Sequence, residues 1–193
     1  MGPANGIIGT ANEGNKRKMK NSAPITKLLI LSDSHRNIDR MLSAVKQTSP
    51  DAVVHLGDHI SDAFELQEKL PGAAFYMVAG NCDPQSLGQS EMLLSIESVK
   101  IYLTHGHNCR VKSGLSLLAE RAGKLGADLA LFGHTHGAKI EQAPGVILMN
   151  PGQMERHDEK RRASYGIVTV KDGKFDCEIV YLPKNAELPL AIT

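Results

Sequence analysis

Five short polar motifs carry the residues of this sequence that could do chemistry. Each follows an apolar run, and they read Asp33-Ser34-His35, Gly57-Asp58, Gly80-Asn81-Cys82-Asp83, His105-Gly106-His107 and Gly133-His134-Thr135-His136. Carboxylate, amide and imidazole groups are common protein ligands of divalent metal ions. Any one motif has a structural explanation, because Asp-x-His caps helices, Gly-Asp makes turns and paired histidines occur on surfaces. All five together predict bound metal, since donors gathered at one place carry a desolvation cost that cations offset.

The apolar runs before these motifs predict the elements that position them. Lys27 to Leu31, Ala52 to Leu56 and Ala74 to Val78 are typical of buried strands. A helical period runs from Ile38 until Pro50 ends it, and a second short helix is expected over 62–70. This βαβαβ order predicts a parallel sheet with right-handed crossovers. The ends of parallel strands form one rim, so motifs far apart in sequence can meet there.

The remaining chain predicts a second set of strands. Antiparallel strands are expected at 92–96 and 100–103, a helix at 114–124, and further strands at 129–132, 138–141, 146–149, 165–170 and 178–182, the last two joined by an Asp172-Gly173 hairpin turn. We therefore expect one α/β domain over 25–183, a four-layer α-β-β-α sandwich with two packed mixed β-sheets flanked by helices. Residues 1–24 are predicted to form a flexible N-terminal tail and residues 184–193 a C-terminal tail.

Composition argues against several classes of function. The chain has 193 residues, enough for one domain, and 22 basic against 21 acidic residues leave a net charge of +1. That balance offers no large basic field for nucleic acid or membrane, and 4% aromatic residues offer no base-stacking surface. Three cysteines are too few for a disulfide framework, and no apolar run approaches the roughly 18 residues of a membrane span. We expect a cytoplasmic protein without specific nucleic-acid or membrane binding.

The five motifs, in this order, resemble those of the calcineurin-like metallophosphoesterase superfamily. The resemblance extends over nearly all of residues 27–182. The small size, the Gly-Asn-Cys-Asp motif and the later Asn150-Pro151-Gly152 turn are similar to the YfcE/YsnB-like bacterial phosphodiesterases. The resemblance implies a metallo-dependent phosphatase-like fold and a dinuclear metal-dependent phosphodiesterase. It also implies self-association, as a homodimer or homotetramer.

The resemblance further implies a set of metal ligands. Asp33, His35 and His136 would hold one metal ion, Asn81, His105 and His134 would hold a second, and Asp58 would bridge the two. Independently of the resemblance, these are hard or borderline donors without a thiolate, which suit Mn²⁺, with Fe²⁺, Ni²⁺ and Zn²⁺ as alternatives. The candidate catalytic residues are Asp58, Asn81, His107 and Asp83.

The charge of such a site favours a phosphate ester as substrate. Two divalent cations, two carboxylates and a bridging hydroxide leave about +1, which matches a phosphodiester monoanion. We expect direct hydrolysis by that hydroxide, held between ions roughly 3.5–4 Å apart, without a covalent enzyme intermediate. The alternatives are a phosphomonoesterase and a weak or inactive protein-interaction scaffold, since a eukaryotic retromer subunit resembles this fold. A DNA nuclease would need DNA-gripping elements that neither length nor charge supplies.

The sequence leaves two interpretations open at several positions. Many superfamily members have histidine where this chain has Cys82, so either a thiol must serve as a poor proton donor or Cys82 is a small buried residue behind the site. His107 either contacts the substrate or orients its turn. Arg156 and Arg162 belong to a charged run that is either a solvated loop or a substrate clamp. Asp83 is expected to orient a neighbour through a hydrogen bond.

Three other polar residues near the motifs have separate expectations. His55 lies inside a predicted strand and is expected to pack in the core, whereas His59 follows Asp58 and is expected near the rim without ligating metal. Gln153 stands where related sequences often have serine, so a hydroxyl contact at that position is in doubt.

Overall fold

The computed structural model of the protein describes residues 26–155 and 162–183. In chain order its elements are β1 (Thr26–Leu31), α1 (Ile38–Thr48), β2 (Ala52–His55), α2 (Ile60–Lys69), β3 (Ala74–Met77), β4 (Glu91–Ile96), β5 (Val99–Thr104), α3 (Ser116–Lys124), β6 (Leu129–Leu131), β7 (Lys139–Ala143), β8 (Val146–Asn150), β9 (Ser164–Lys171) and β10 (Lys174–Tyr181). Two short 3₁₀ helices, Gln85–Leu87 and His107–Cys109, lie in the connections.

The strands form two five-stranded mixed sheets. The first has the order β10-β9-β1-β2-β3 and the second the order β4-β5-β6-β8-β7. The neighbours β1, β2 and β3 run parallel, as the βαβαβ pattern predicts, and so do β5, β6 and β8. Antiparallel pairs complete the edges of both sheets. Each sheet therefore presents several parallel strand ends at one rim.

Three apolar clusters separate four layers, which confirms the predicted sandwich. Leu28, Ile30 and Val54 of the first sheet pack with Ile101 and Leu131 of the second sheet. On the outer face of the first sheet, a second cluster joins β1 and β2 to α1 and α2. On the outer face of the second sheet, a third cluster joins β5, β6 and β8 to α3. The central strands of both sheets are thus buried on both faces.

The side-chain alternation of each strand explains its place in the layers. In β1, Leu28 and Ile30 enter the cluster between the sheets, while Leu29 and Leu31 enter the cluster below α1 and α2. A strand buried on both faces must be apolar throughout, and this one is. The edge strand β10 instead alternates, with Phe175 packed against the inner cluster and its polar neighbours facing outward.

The predicted boundaries agree with the observed ones to within a few residues, except at β10. That strand begins at Lys174, four residues before the predicted start, because the prediction followed only the more apolar end of an alternating strand. Helix α2 begins at Ile60 rather than at residue 62. Both predicted tails, residues 1–24 and 184–193, lie outside the described residues. Among the described residues, no helix has the length and apolar character that crossing a bilayer requires.

Candidate metal centre

The five polar motifs occupy the ends of parallel strands in both sheets. Asp33 follows β1, Asp58 follows β2 and Asn81 follows β3, whereas His105 follows β5 and His134 follows β6. Two hydrogen bonds join the sheets at this rim. The Asp33 Oδ2 atom accepts from the His134 backbone N–H at 3.1 Å, and His105 Nδ1 lies 2.8 Å from the Leu56 carbonyl oxygen. The two sheets therefore bring the motifs to one place.

Six of the seven predicted ligands gather in two groups of three. Asp33, His35 and His136 form one, and Asp58, His105 and His134 form the other. Within each group the potential ligand atoms all lie within 4.8 Å of one another. His136 Nε2 lies 3.2 Å from Asp33 Oδ1, and His105 Nε2 lies 3.3 Å from Asp58 Oδ1. The two groups contain all the expected ligands except Asn81, and the bridging role of Asp58 stays a prediction.

Several donor atoms of these groups are buried without a hydrogen-bond partner among the described residues. They are Asp33 Oδ1, His35 Nε2 and His105 Nε2. A buried polar atom without a partner is costly, and metal coordination is one way to satisfy it. The second oxygen of Asp33 and the second ring nitrogen of His105 are held by hydrogen bonds. Asp33 Oδ2 accepts from Ser32 Oγ at 2.6 Å, and His105 Nδ1 carries a hydrogen that it donates to the Leu56 carbonyl. Asp33 Oδ1 and His105 Nε2 each face another candidate ligand, an arrangement that fits divalent cations.

The backbone at the ligands is strained in a consistent way. Five of the seven candidate ligands have left-handed φ angles between 44° and 65°, namely Asp33, His35, Asp58, His134 and His136. Residues other than glycine adopt this region at a cost of about 1–3 kcal/mol each, and such strain concentrates at functional sites. The folded protein therefore holds the ligands in conformations that local preference disfavours.

Two glycines allow the strand ends to approach so closely. A Cβ atom at Gly80 would lie 2.2 Å from Asp58 Oδ1, and one at Gly133 would lie 2.0 Å from Ser32 Oγ and 2.9 Å from Asp33 Oδ2. A side chain at either glycine would therefore force Asp58, or Ser32 and Asp33, to move. The glycines of the Gly-Asn and Gly-His motifs are thus required by packing against the carboxylates.

The loop of residues 80–83 positions Asp58 through its backbone. The Cys82 N–H donates to Asp58 Oδ1 at 2.9 Å, and Asp83 accepts from the N–H groups of Gly80 and Ile60 at 2.8 and 2.9 Å. Asp83 therefore ties the loop to the start of α2, which agrees with its predicted orienting role. Asn81 is exposed and its Nδ2 lies 3.4 Å from Cys82 Sγ, so its place as the seventh ligand stays a prediction.

The interpretation of Cys82 as a buried residue behind the site is wrong. Its side chain is exposed at the rim, and its backbone N–H donates to Asp58. Partial burial of the thiol and the negative charge of Asp58 raise the pKa of Cys82 to about 11. A thiol that holds its proton this firmly is a poor acid at neutral pH.

The two carboxylates and their histidines shift one another's pKa values in opposite directions. Burial opposes ionisation of Asp58, but its contact with His105 lowers its pKa overall, and the same contact raises the pKa of His105 against the effect of burial. Asp33 and His136 show the same pattern. Burial and the nearby His105 lower the pKa of His134 to about 4. Both carboxylates are therefore ionised, as metal ligands must be.

The remaining predicted residues have varied surroundings. The His107 ring lies 5.5 Å from the His105 ring and 6.1 Å from the His134 ring, and its buried Nδ1 has no hydrogen-bond partner among the described residues. The His59 ring packs edge-on against His35 at 4.8 Å. Arg162 donates to the Leu182 carbonyl and lies over the Tyr181 ring, contacts that give its clamp hypothesis no support.

Arg156 lies outside the described residues. Gln153 is fully buried, as is His55, which fits the expected core position of that histidine.

Sequence reasoning missed two residues that hold ligands in place. Ser32 donates to Asp33, and Asn150 Nδ2 donates to the Gly133 carbonyl and to Thr135 Oγ1 at 2.8 and 3.0 Å. Asn150 ends β8, which is parallel to β6, so its position at a strand end was an available signal. Ser32 directly follows β1 but has no spacing that marks it.

Comparison with known proteins places the chain in a family. The family model for the calcineurin-like phosphoesterase superfamily domain matches residues 26–173. The chain belongs to the calcineurin-like phosphoesterase superfamily, a metal-dependent family. Its similarity to proteins named YsnB and YfcE supports the YfcE/YsnB-like subgroup.

Two curated relatives illustrate the degree of similarity. The chain is 36% identical over 148 residues to "Probable metallophosphoesterase YsnB" of Bacillus subtilis, covering 75% of this chain and 85% of that protein. It is 27% identical over 169 residues to "Phosphodiesterase YfcE" of Escherichia coli K12, covering 74% and 86%. Both matches span most of each relative.

Solved structures share the fold at lower identity. A phosphoesterase-like protein of unknown function from Streptococcus pneumoniae superposes with a TM-score of 0.64 at 21% identity, over 82% of this chain and 90% of that one. Vps29 from Entamoeba histolytica, as a D62A variant, gives 0.62 at 21% identity, over 82% and 100%. These likenesses establish the sandwich architecture.

Proposed function

We propose that this protein is a dinuclear metal-dependent phosphodiesterase that hydrolyses small or activated phosphodiesters. The observation that carries the proposal is the pair of adjacent groups, each with one carboxylate and two imidazoles, in which several buried donor atoms have no hydrogen-bond partner among the described residues. Membership of the phosphoesterase superfamily and the phosphodiesterase name of YfcE support the same reaction class.

The ligands divide between two ions. Asp33, His35 and His136 would hold one, while His105, His134 and Asn81 would hold the other, with Asp58 shared between them. Bound divalent ions, most simply Mn²⁺, would supply a hydroxide nucleophile near neutral pH and polarise the phosphoryl oxygens. Fe²⁺, Ni²⁺ and Zn²⁺ are the alternatives, because the donors are oxygen and nitrogen atoms only.

Four side chains complete the proposed chemistry. Asp58 and Asn81 act as ligands, and Asp83 holds their loop against α2 through the Gly80 and Ile60 N–H groups. Burial and the charge of His105 lower the pKa of His107, which favours a neutral imidazole. A neutral His107 beside the second group can donate one hydrogen bond to a phosphoryl oxygen. Direct attack by hydroxide needs no protein nucleophile.

The charge of the centre favours a diester. Two ions, two ionised carboxylates and one hydroxide leave about +1, which a phosphodiester monoanion neutralises. A monoester dianion would also be attracted, so phosphomonoesterase activity is the alternative that the assay must separate.

The direct test is a metal-reconstitution assay. Metal-stripped protein is reloaded with Mn²⁺, Ni²⁺, Zn²⁺ or Mg²⁺ and offered bis(p-nitrophenyl) phosphate and p-nitrophenyl phosphate. We expect hydrolysis of the diester to return with a transition metal and to exceed that of the monoester. A protein that binds the ions but hydrolyses neither ester would refute the proposal.

A matched pair of variants tests the role of Asp58. Asp58→Asn should abolish activity with every metal, because an amide is a poor bridge between two cations. Asp128→Asn is the control, since Asp128 also accepts a backbone N–H, that of Lys100 at 2.8 Å, and belongs to neither ligand group. Activity retained in Asp58→Asn would show that the assigned bridge is wrong.

A protein-interaction scaffold is the second candidate, because Vps29 shares the fold. Six converging ligands favour the enzyme, and the same metal titration separates the two functions. The cytoplasmic location and the homo-oligomer stay predictions. Cell fractionation and light scattering on the purified protein test them.

A further inference from the structure

A chain of buried hydrogen bonds lies beneath the two loops that carry Asp33 and Asp58. It consists of His55, Ser34 and Asp62, whose side chains are 0%, 0% and 4% exposed. Ser34 Oγ lies 3.1 Å from His55 Nε2 and 2.7 Å from Asp62 Oδ2. Ser34 stands between two candidate ligands, and none of the three belongs to either ligand group.

The hydrogens in this chain have one consistent arrangement. The Gly57 N–H donates to His55 Nδ1 at 3.3 Å, so the imidazole carries its hydrogen on Nε2 and donates to Ser34 Oγ. The Ser34 hydroxyl then donates to Asp62 Oδ2, which also accepts the Arg36 N–H at 2.7 Å. A hydrogen on Nδ1 instead would face the Gly57 N–H, and a Ser34 hydroxyl that donated to Nε2 would leave two acceptors facing each other at Asp62. Burial lowers the pKa of His55 to about 4, so the ring is neutral as this arrangement requires.

The chain is anchored at both ends in strained backbone. In the first loop, Asp33, His35 and Arg36 have φ angles of 51°, 44° and 64°. In the second, Gly57 and Asp58 have φ angles of 95° and 55°. At the residues other than Gly57, such conformations persist only where the surroundings hold them. The Arg36 N–H and the Gly57 N–H are held by the two ends of one hydrogen-bond chain.

We propose that Ser34, His55 and Asp62 are positioning residues that set the placement of the Asp33–His35 loop relative to the Asp58 loop, and with it the spacing of the two metal ions. The inference rests on the proposed dinuclear function. None of the three residues belongs to a group of candidate ligands. They act through the backbone of the loops that carry the ligands.

The test compares variants that break the chain at different links. Ser34→Ala removes the central hydroxyl, and His55→Asn keeps an acceptor for Gly57 while losing the donor to Ser34. Asp62→Ala removes the final acceptor, whereas Asp62→Asn keeps an oxygen that can accept from Ser34 and Arg36. Thr48→Val is the control, because Thr48 is a buried hydroxyl that donates to Ala44 O at 2.7 Å within α1.

Two readouts besides activity are measured on each full-length protein. Calorimetric titration gives the number and affinity of bound Mn²⁺ ions, and electron paramagnetic resonance reports the coupling between them, which depends on their spacing. We expect Ser34→Ala, His55→Asn and Asp62→Ala to bind Mn²⁺ about 10–100-fold more weakly, the usual effect of losing a group that orients ligands. The coupled signal should weaken in the same variants, and Asp62→Asn should restore both properties.

Thermal unfolding without metal separates positioning from general stability. Thr48→Val should lower the melting temperature about as much as Ser34→Ala and leave Mn²⁺ affinity unchanged. The inference is overturned if the chain variants bind both ions as the wild type does, or if Thr48→Val weakens metal binding equally. Should Ser34→Ala fail to fold, His55→Asn and the Asp62 pair decide the question.

Failure of the proposed function gives a different result. If the wild type binds two coupled Mn²⁺ ions but hydrolyses no phosphate ester, the proposed phosphodiesterase function is refuted. The positioning role is then still tested by the Mn²⁺ affinities of the variants. A wild type that binds fewer than two ions overturns both.

Discussion

Replacing Gly80 with alanine displaces Asp58 without removing any candidate ligand. The new Cβ would lie 2.2 Å from Asp58 Oδ1 and 2.4 Å from the Asp58 backbone nitrogen. The contact is about 1 Å shorter than van der Waals packing allows. Because a backbone atom is involved, rotation of the Asp58 side chain cannot relieve the clash. The loops after β2 and β3 must therefore separate.

The size of the effect follows from that displacement. Overpacking of this kind typically costs about 1–3 kcal/mol of folding stability. Misplacing a catalytic group by about 1 Å can cost roughly 100-fold in rate. We expect Gly80→Ala to remain folded, to bind Mn²⁺ more weakly at the Asp58 group, and to lose about two orders of magnitude in kcat/KM for a phosphodiester.

The assay combines thermal unfolding, Mn²⁺ titration and diester hydrolysis on Gly80→Ala and a glycine control. Gly123 lies within α3 and a Cβ there would meet nothing within 4 Å, so Gly123→Ala should stabilise the protein by about 0.5–1 kcal/mol and leave hydrolysis unchanged. Wild-type metal affinity and kcat/KM in a folded Gly80→Ala would contradict the reasoning, because Asp58 could then move freely without consequence.

Two further predictions concern pH and the leaving group. Burial lowers the pKa of His55 from 6.5 to about 4 despite the opposing attraction of Asp33, Asp62 and Asp83, so the unfolded chain binds the proton first as pH falls. This histidine should therefore cost about 2 kcal/mol of stability at pH 5 relative to pH 7.5, and denaturant unfolding of His55→Asn should show a pH dependence smaller by that amount. Equal pH dependence in both proteins would count against a neutral buried His55. Because an exposed Cys82 thiol stands in place of histidine, the hydrolysis rates of aryl diesters should depend steeply on the pKa of the leaving group. If the rates do not depend on that pKa in the wild type but do in His107→Gln, His107 is the acid instead.

The sequence predicted the order of the elements and the class of chemistry, because both depend on local patterns. Continuous apolar runs mark strands buried on two faces, and a helical period between them marks the parallel crossovers. Asp, Asn and His at successive strand ends then indicate one metal-binding rim. The β1–α1–β2–α2–β3 order and the family assignment follow from these features.

The exposure of Cys82 was not indicated by these patterns, whereas the start of β10 was. Lys174 and Asp176 alternate with Phe175 and Cys177, which is the period of a half-buried strand, so the predicted start was late because it followed only the more apolar end of the strand. Cysteine is most often a buried residue, but the side chain of Cys82 is exposed at the rim, where its N–H donates to Asp58. For Cys82, contacts with another segment decide the outcome.

Sequence by itself determined which side chains are candidate metal ligands and the strand ends that carry them. Tertiary structure decided how six of them divide into two groups, how closely Gly80 approaches Asp58, and that Ser34 joins His55 to Asp62. The physical reason is distance along the chain. The His134 N–H that holds Asp33 is 101 residues away from it, and no local preference encodes a contact of 3.1 Å between such segments. Only the packing of two sheets against a common core brings them together.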